Sequence, residues 1–569
     1  MAQSTRNRRQ QPSDLSATSS VEREQYSKEY KPKKKPNQEA NERSWWIMTV
    51  VALGLLRYMS ATTNILHDCD EVFNYWEPLH FLLYNSGFQT WEYSSKFALR
   101  SYLYIDFHRL VALPASWLFH SQEDEKVRVF YAVRFFLGAI SVVADATLVV
   151  ALSRKCSRRI ASYTLAMLCL TSGCFFASTS FLPSSFSMYA MSLASAFFLL
   201  QNYPAAVAIS AIGVILGWPF SILAFLPITL YSLYKTVGHS IIAGSVTSVC
   251  LLGLSILVDH HYYGRLTSSV LNLISYNVAG GGQSHLYGVE GPFFYLRNGF
   301  NNFNICFVLA FLFLGIAYFV RKKYSPELYI AVSPIFIWIA FMSLQPHKEE
   351  RFLYPIYPLL CVAASAAIES FPDIFTDPYD PIQTSIFITI AKGLRPVFLA
   401  CILCVSHSRT FSLVNGYAAP IQLYKSLEHH DDAGPGAILC VGSEWHRYPS
   451  SFFVPSYISQ VKWIDDGFRG LLPLPFTTTN SSPSYFNDKN EAAEIQFLND
   501  VGLCTFLVEL QLDRPYPSRA SDTSTWETVA AIPFLDREMS PPLHRSFFIP
   551  YLWQHKNVFG LYKLLKRIP

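Results

Sequence analysis

The sequence reads RVFYAVRFFLGAISVVADATLVVALS over residues 128–153, RKCSRR over 154–159 and IASYTLAMLCLTSGCFFASTSFL over 160–182. Two apolar runs, each near or above the roughly 20 residues that cross a bilayer, flank a short basic turn. Positive charge accumulates in short cytosolic loops, so this turn is predicted to be cytosolic and both runs to be membrane spans. We therefore expect a polytopic membrane protein.

The composition of the whole chain agrees with this expectation. Of the 569 residues, 51% are apolar and 15% are charged, whereas average soluble domains carry about 25% charged residues. This disfavours a wholly soluble enzyme, a disordered protein and a coiled coil. The net charge is +4, and residues 1–44 alone hold ten basic and six acidic side chains. The remainder is neutral, so nucleic acid is not an expected partner.

The same reasoning predicts eleven spans and their sides. Proline breaks a helix interior, so the run 204–232 is expected to be two helices separated at Gly217-Trp218-Pro219. With eleven spans, the N-terminus and every basic turn lie on the cytosolic side. Three polar loops then lie on the lumenal side, at 67–127, 259–303 and 345–352. The predicted spans are 45–65, 128–153, 160–182, 184–200, 204–217, 219–232, 237–258, 304–320, 327–344, 353–369 and 386–406.

The two ends of the chain differ from this central part, 45–406. Residues 1–44 are rich in Arg, Lys, Gln, Ser and Pro and lack apolar periodicity, which predicts a disordered, basic cytosolic tail. Residues 407–569 alternate short apolar and polar runs, which predicts a small α/β domain on the lumenal side. An oxidising lumen would allow Cys440 and Cys504 to pair there. Asn480 begins a glycosylation sequon, Asn-Ser-Ser.

The first polar loop opens with HDCDEVFNYWEP at residue 67. One interpretation is a helix start, in which Asp68 caps the helix and Glu71 completes a capping box. A catalytic carboxylate at a membrane boundary is the other, and the two are compatible. On a helix Asp70 and Glu71 point about 100° apart, so only one can face a substrate. Two carboxylates are a weak metal signal, so a divalent cation is allowed but not required.

Aromatic side chains continue through the same loop, in GFQTWEY over 87–93 and around Arg100. Trp and Tyr are typical of a membrane interface. Their rings also suit the apolar face of a sugar, and composition leaves both interpretations open.

The loop at 345–352 reads QPHKEERF. A solvated turn is the simplest interpretation. However, Lys348 and Arg351 place positive charge on the predicted lumenal side, where short loops avoid it. A basic cluster in that position is of use if it holds an anion, such as a lipid phosphate.

Three blocks carry a resemblance to a known family: HDCDEVFNYWEP at 67–78, GFQTWEYS at 87–94 and HKEERFLYP at 347–355. They resemble glycosyltransferase family 22, the dolichyl-phosphate-mannose-dependent mannosyltransferases of the endoplasmic reticulum. The first two blocks are most similar to the α-1,2-mannosyltransferase branch of asparagine-linked glycosylation. The third loop also matches, at Tyr287 for example, but departs at Gly291-Pro292-Phe293, where Pro-Trp is expected.

The resemblance implies a mainly α membrane helix bundle of the C-type glycosyltransferase fold, in the membrane of the endoplasmic reticulum, with a lumenal active site. It implies mannose transfer from dolichyl-phosphate mannose to dolichyl-diphosphate oligosaccharides bearing six or eight mannoses. Membrane lipid is an implied partner, whereas no protein partner is inferred. The nearest alternative is a sibling transferase that makes an α-1,6 linkage or acts on glycolipid anchors. A lipid or sugar transporter is more remote, because the sequence has no internal repeat.

The donor is implied to be β-linked and the product α-linked, so configuration inverts. One displacement with a single base suffices. We expect Asp70 to be that base, with Glu71 as the rival and Asp68 as an orienting or binding group. No cofactor is expected.

The departing phosphate needs positive charge more than it needs a general acid. We expect His347, Lys348 and Arg351 to hold the donor phosphate and Glu350 to orient Arg351. Weaker candidates for substrate contact complete the prediction: Arg100, Arg265, Tyr75, Trp76 and Tyr287.

Overall fold

The computed structural model describes residues 36–279, 286, 288–320, 324–375, 381–430, 433–476, 485–514 and 518–568. The larger of its two compact units is Thr49–Pro569. The described chain is mainly helical and ends in a small sheet. Its α-helices are α1 Pro36–Thr63, α2 Cys69–Glu71, α3 Glu77–Tyr84, α4 Tyr102–Phe119, α5 Glu125–Lys155, α6 Arg158–Leu170, α7 Ser172–Ala177, α8 Pro183–Leu199, α9 Tyr203–Ile212, α10 Ile222–Lys235, α11 Val237–Tyr263, α12 Ser269–Ile274, α13 Phe294–Phe303, α14 Ile305–Val320, α15 Pro326–Val332, α16 Pro334–Leu344, α17 Tyr357–Ser370, α18 Pro381–Tyr417, α19 Ala419–Lys425, α20 Pro542–Ser546 and α21 Leu552–Lys556.

Among the described residues, six helical segments are long and apolar enough to cross a membrane. The count is seven if α13 and α14, which meet at 111°, form one broken span. Several of the eleven predicted spans are shorter or divided helices in the described chain. The run 160–182 is divided, because its helix ends at Leu170 and a short second helix follows, whereas the predicted spans 184–200 and 219–232 are single helices of 17 and 14 residues. A multi-pass membrane protein is nevertheless confirmed.

The predicted break at Gly217-Trp218-Pro219 is confirmed. Helix α9 ends in a π turn, Gly213–Gly217, and a 3-10 turn begins at Pro219. Ser187 Oγ donates to the Gly213 carbonyl at 2.8 Å and accepts from Trp218 N at 2.9 Å. A Cβ at position 217 would lie 2.6 Å from Ser187 Oγ, so the close approach requires glycine.

Two predicted boundaries were wrong. Helix α1 begins at Pro36, inside the segment predicted to be disordered to residue 44, and proline suits the first turn of a helix. Helix α18 continues to Tyr417, past the predicted domain boundary at residue 406. In both places the predicted boundary was set where the apolar composition gives way to polar residues. A helix does not end there, because it continues until its backbone geometry changes. The basic turn at 321–323 lies outside the described residues.

The C-terminal part confirms the predicted small α/β region. Six strands form one mixed sheet in the order β5-β3-β2-β6-β8-β7. Strands β5, β3, β2 and β6 are parallel, whereas β8 is antiparallel to β6 and to β7. A disulfide joins Cys440 to Cys504, which confirms the predicted pairing. The strands are β1 Phe88–Gln89, β2 Ala437–Val441, β3 Ile458–Ile464, β4 Leu474–Pro475, β5 Phe497–Leu498, β6 Phe506–Gln511, β7 Trp526–Leu535 and β8 Phe559–Arg567.

The C-terminal part packs on the first polar loop and fixes its shape. Strand β1 of the loop pairs with β4, antiparallel. The buried Glu77 carboxylate accepts hydrogen bonds from Phe88 N at 2.9 Å, Ser450 Oγ at 2.8 Å and both Ser451 N and Oγ, at 2.6 and 2.8 Å. A buried carboxylate is stable only with such partners. The first polar loop is therefore held in place both by the pairing of β1 with β4 and by the hydrogen bonds of Glu77.

Candidate active site

The acidic turn Asp68–Glu71 starts a short helix directly after α1. Asp68 is its N-cap, as predicted, and its Oδ1 accepts from Asp70 N at 2.9 Å. The predicted capping box was wrong, because the Glu71 side chain does not turn back. Its Oε1 accepts from Trp76 Nε1 at 3.1 Å and from Phe181 N at 2.9 Å. The π turn Val72–Trp76 brings the Trp76 ring into this position.

Asp70 and Glu71 point to different surroundings, as their helical spacing requires. The Asp70 side chain is 38% exposed and meets Arg351, whereas Glu71 is 1% exposed. Burial raises the pKa of Glu71, although its two N–H donors and Arg134 counter the effect. Of these two neighbours, only Asp70 has an oxygen that a substrate can reach.

Arg351 gathers the acids of two distant loops. Its Nη1 lies 3.0 Å from Asp68 Oδ2 and its Nη2 lies 2.6 Å from Asp70 Oδ2. Its Nε pairs with Glu349 Oε2. The prediction that Glu350 orients Arg351 was wrong, because Glu350 Oε1 accepts from Asn302 Nδ2 at 2.7 Å instead. Glu349 is the extended cap residue of the 3-10 turn Glu350–Ile356, whose second residue is Arg351.

His347 and Lys348 join this loop to the loop at 259–303. His347 Nδ1 donates to the Gly288 carbonyl at 3.0 Å and Nε2 donates to Glu349 Oε1 at 2.8 Å. Because both ring nitrogens face acceptors, the charged imidazolium is favoured, and the hydrogen bond to Glu349 raises the pKa of His347. The buried Lys348 ammonium donates to the Glu290 carbonyl at 2.7 Å and to the Gln345 carbonyl. Lys348 therefore secures the loop backbone.

The two aspartates of the acidic turn have opposite pKa shifts. Burial, reinforced by Glu349 and Asp70, raises the pKa of Asp68 to about 7 against the attraction of Arg351. Burial also acts on Asp70, but Arg351 and Arg100 outweigh it, and the pKa of Asp70 is lowered. Asp70 is accordingly ionised at neutral pH, whereas Asp68 is close to half protonated.

Arg100 connects the first two sequence blocks. Its Nε and Nη2 donate to Glu92 Oε2 and Oε1 at 3.1 and 3.0 Å, and its Nη1 donates to Tyr75 OH at 2.8 Å. Asn74 Nδ2 also donates to Glu92 Oε2, at 2.8 Å. The Arg100 side chain is 20% exposed, and its guanidinium retains two N–H groups beyond these three contacts.

A cavity opens beside Arg100. Its volume is about 50 Å³, against roughly 300–1,000 Å³ for ligand pockets, so it can hold only part of a substrate. Trp218, at the break after α9, lies on its wall and stacks on Phe352 at 5.1 Å between ring centroids. The cavity is lined by Tyr75, Tyr93, Leu99, Arg100, Ser101, Leu103, Tyr104, Pro183, Ile215, Leu216, Gly217, Trp218, Pro219, Val270 and Leu273.

Several residues that were predicted to contact the substrate do not lie beside Asp70, Arg351 or Arg100. Trp76 is fully buried and packs on Phe130 at 4.0 Å between ring centroids, which leaves no face for a sugar. Arg265 is exposed and donates to the Lys96 carbonyl at 3.3 Å. Tyr287 and Asn480 lie outside the described residues.

The sequence interpretation missed Glu92, Glu349 and Trp218. Glu92 and Glu349 lie within the blocks that carry the resemblance, and their place in those blocks was the usable signal. Trp218 was noted only as part of a helix break. One ligand atom each from Asp68, Cys69 and Asp70 lies within 4.8 Å of the others, but Arg351 already engages both carboxylates, and two carboxylates are far fewer than the roughly six oxygen ligands that a hard cation prefers.

Comparison with known proteins places the chain among mannosyltransferases. Residues 45–455 match the Alg9-like mannosyltransferase family. The chain is 64% identical to alpha-1,2-mannosyltransferase ALG9 of Arabidopsis thaliana, with 99% of each chain covered. It is 36% identical to alpha-1,2-mannosyltransferase ALG9 of Mus musculus, with 90% and 87% of the two chains covered.

Among solved structures, ArnT from Cupriavidus metallidurans bound to undecaprenyl phosphate resembles the chain with a TM-score of 0.45 and 14% identity, covering 75% of this chain and 86% of that one. The classification rests on the family model, which matches most of the sequence, and on the two ALG9 relatives, which match along nearly their full length. The chain belongs to the Alg9-like mannosyltransferase family and is a membrane-bound glycosyltransferase.

Proposed function

We propose that the protein transfers mannose from dolichyl-phosphate mannose to the 2-hydroxyl of terminal mannoses on dolichyl-diphosphate oligosaccharides. The new linkage is α-1,2, and the acceptors carry six or eight mannoses. Full-length relatives that are named alpha-1,2-mannosyltransferases support the linkage. The reaction inverts configuration in one displacement.

The observation that carries the mechanism is the ionised, partly exposed Asp70 beside Arg351. Asp70 takes the proton of the acceptor hydroxyl while that oxygen attacks the anomeric carbon. The bond between the anomeric carbon and the phosphate oxygen breaks at the same time, and dolichyl phosphate leaves as the anion. No proton has to be delivered to this leaving group.

Cations near Asp70 are suited to the phosphate. Arg351, Arg100 and His347 are the positive groups that interact with the Asp70 carboxylate. A donor phosphate entering there competes with Asp70 for Arg351, which frees the carboxylate to accept the proton. Preorganised cations of this kind stabilise the charge that develops on the departing phosphate. We assign Lys348 a positioning role, because its ammonium is already held by two carbonyls.

We also propose that the protein lies in the membrane of the endoplasmic reticulum, with a cytosolic N-terminus and a lumenal active site. Six long apolar helices in the part of the chain that the structure describes support the membrane location. The disulfide between Cys440 and Cys504 supports an oxidising compartment for the C-terminal part. That part packs on the acidic loop, so both belong to the same side.

The test is mannose transfer by the purified full-length protein from labelled dolichyl-phosphate mannose to a lipid-linked hexamannosyl acceptor. We expect a product that an α-1,2-mannosidase cleaves, and a loss of about 10²–10⁴-fold in kcat for Asp70→Asn. The matched control is Asp465→Asn, which alters an exposed carboxylate paired with Arg469 and should leave kcat unchanged. A chelator added to the wild-type reaction tests the need for a metal.

Other outcomes would identify the alternatives. A product that resists the mannosidase would indicate a sibling linkage. Full activity of Asp70→Asn would remove this carboxylate from the mechanism. Donor binding without transfer to this acceptor would indicate a different acceptor, such as a glycolipid anchor.

A further inference from the structure

The carboxylate of Glu349 is shared between two cations of the loop at 345–352. Its Oε1 accepts a hydrogen bond from His347 Nε2 at 2.8 Å, and its Oε2 forms an ion pair with Arg351 Nε. The proposed reaction uses both cations and leaves the acid that joins them without a role. A carboxylate held between two phosphate-binding cations also repels the phosphate, so its position there requires a physical reason.

Of the three carboxylates that Arg351 engages, Glu349 is the least free to leave it. In the described part of the chain, Glu349 Oε2 is buried and has the Arg351 ion pair but no hydrogen-bond partner. A buried oxygen that loses its last partner carries a large desolvation cost. Asp70 is partly exposed, so water can replace Arg351 there. When the donor phosphate arrives, Arg351 therefore releases Asp70 and stays paired with Glu349.

The contact through Nε leaves the far end of the Arg351 guanidinium for the phosphate. Nη1 and Nη2 lie 3.0 and 2.6 Å from one oxygen each of Asp68 and Asp70. Two N–H groups side by side at this end are the arrangement by which arginine holds a phosphate in bidentate fashion. The two aspartate oxygens thus stand where two phosphate oxygens would bind, and the ion pair of Nε with Glu349 keeps the guanidinium in place during the exchange.

Glu349 also determines how His347 contributes to the site. Both ring nitrogens already have acceptors, because Nδ1 faces the Gly288 carbonyl at 3.0 Å and Nε2 faces Glu349. The hydrogen bond to Glu349 raises the pKa of His347, whereas burial and Arg351 lower it. The imidazolium therefore supplies positive charge near Asp70 without donating a hydrogen bond to the phosphate.

The charged groups around His347 come from three elements. The acidic turn supplies Asp70, whose carboxylate interacts with the imidazolium. The loop at 259–303 supplies Glu290, whose carboxylate lies 3.9 Å from an arginine of α13. Glu349 makes a hydrogen bond to the ring itself, so we expect its removal to have the largest effect on the protonation of His347. The loop of His347 supplies Lys348, Glu349 and Arg351.

We propose that Glu349 is a positioning residue of the donor site, which holds Arg351 by its Nε and fixes His347 as a neighbouring positive charge. This inference rests on the proposed function. One carboxylate between two cations leaves a single positive charge in excess, and the single negative charge of the donor phosphodiester neutralises it. Without Glu349 the two cations would repel each other, and the guanidinium of Arg351 would lose the contact that orients it.

The first test compares Glu349→Gln, Glu349→Asp and Glu350→Gln in the full-length protein. Glutamine at position 349 offers one oxygen and one NH₂ group, so it cannot accept from both cations. Aspartate keeps the charge but is one methylene shorter, so we expect it to keep one of the two contacts. Glu350→Gln is the matched control, because it removes the same charge from a carboxylate that accepts from Asn302 instead. KM for the donor, KM for the acceptor and the unfolding temperature are measured.

We expect donor KM to rise about tenfold or more in Glu349→Gln, the effect of losing one charge-assisted hydrogen bond, and to rise less in Glu349→Asp. Acceptor KM, and donor KM in Glu350→Gln, should stay within about twofold of the wild type. A carboxylate that acts only through its charge repels the phosphate, so its removal would lower donor KM. A lower donor KM in Glu349→Gln would therefore overturn the inference, as would an equal rise in both glutamine variants.

The second test follows the protonation of His347, which a merely structural role of Glu349 would not change. Asp68→Asn is the background, because Asp68 titrates in the same pH range. In this background we expect Glu349→Gln to move the rise of donor KM to lower pH, since the imidazolium loses its carboxylate partner. His347→Gln should abolish the rise. A rise that Glu349→Gln leaves at the same pH would contradict the inference.

Binding of farnesyl methyl phosphate separates the inference from the proposed function. This probe is a phosphodiester with one negative charge, like the donor, and it carries no sugar. Its dissociation constant should rise about tenfold in Glu349→Gln and stay within about twofold in Glu350→Gln. Equal affinity of the wild type and Glu349→Gln for the probe would exclude the positioning role. Failure of the wild type to transfer mannose would contradict the proposed function instead, and probe binding would still decide the role of Glu349.

Discussion

Asp70 and Glu71 follow each other on one turn of helix, yet one carboxylate is 38% exposed beside Arg351 and the other is 1% exposed between two N–H donors. The difference separates a group that can take a proton from one that holds the backbone in place. It also gives the two positions different mutational signatures.

Glu71→Gln is expected to affect stability more than catalysis. Glutamine keeps one oxygen for Trp76 Nε1 or Phe181 N, but it leaves the other donor poorly satisfied, at a cost of about 1–3 kcal/mol. We expect a lower unfolding temperature and a fall in kcat of less than about tenfold, compared with about 10²–10⁴ for Asp70→Asn. Thermal unfolding and kcat of the two variants, measured side by side, check this. A larger fall in kcat for Glu71→Gln than for Asp70→Asn would reverse the assignment.

The pKa of Asp68 predicts a pH dependence of donor binding. Because the pKa is raised to about 7, Asp68 is mainly protonated below pH 7 and mainly ionised above it. Ionisation adds a negative charge beside the donor phosphate and draws Arg351 towards Asp68. His347, whose pKa is raised by its hydrogen bond to Glu349, also loses its positive charge as the pH rises. We therefore expect donor KM to rise between about pH 6 and 8 in the wild type and to rise less steeply in Asp68→Asn, where only the His347 contribution remains. The same pH dependence in both proteins would contradict this.

The raised pKa of Asp68 also makes the stability of the folded state depend on pH. The folded state holds the Asp68 proton more tightly than the unfolded chain, whose pKa is about 3.9. This contribution to stability is complete below about pH 4 and is lost as the pH rises to 7. Asp68→Asn removes it together with the titration.

At the scale of elements, the break after α9 shapes the cavity beside Arg100. Gly217→Ala would place a methyl carbon 2.6 Å from Ser187 Oγ and 3.2 Å from Ser187 N. Overpacking of this kind costs about 1–3 kcal/mol and would displace Trp218 from the cavity wall. We expect a lower unfolding temperature and a higher donor KM.

Gly253→Ala is the matched control, because nothing lies within 4 Å of a Cβ at that helical position. Alanine is favoured over glycine in a helix by about 1 kcal/mol, so this variant should be neutral or slightly more stable. Equal effects of the two substitutions would exclude a specific role of the break.

Whether a feature could be predicted from the sequence depends on how far apart in the chain the interacting residues lie. The long helix over 128–153, the break at Pro219 and the cap at Asp68 depend on nearby residues, and each was predictable. The pairing of Arg351 with Asp68 and Asp70 joins residues far apart in the chain, and spacing alone offers no means to see it. The partner of Arg351 was therefore assigned to Glu350, next in sequence, although Glu349 makes the contact.

At the scale of the whole molecule, the C-terminal part supports the acidic loop. The Glu77 carboxylate receives four hydrogen bonds that join the loop at Phe88 to the segment Ser450-Ser451. Phe73 packs on Tyr448 at 6.0 Å between ring centroids, in the same interface. The sheet is thus a base on which the acidic turn is held, at a distance from the reacting atoms.

Glu77→Gln tests this support. The amide replaces an oxygen acceptor with an N–H donor, so at least one of the four donors loses its partner, at a cost of about 1–3 kcal/mol. We expect a lower unfolding temperature and a lower kcat, with the pH dependence of donor KM retained, because Glu77 is a positioning residue. Glu527→Gln, on the exposed face of β7, is the control and should behave as the wild type. If Glu77→Gln kept full kcat while losing stability, the C-terminal part would be needed for folding alone.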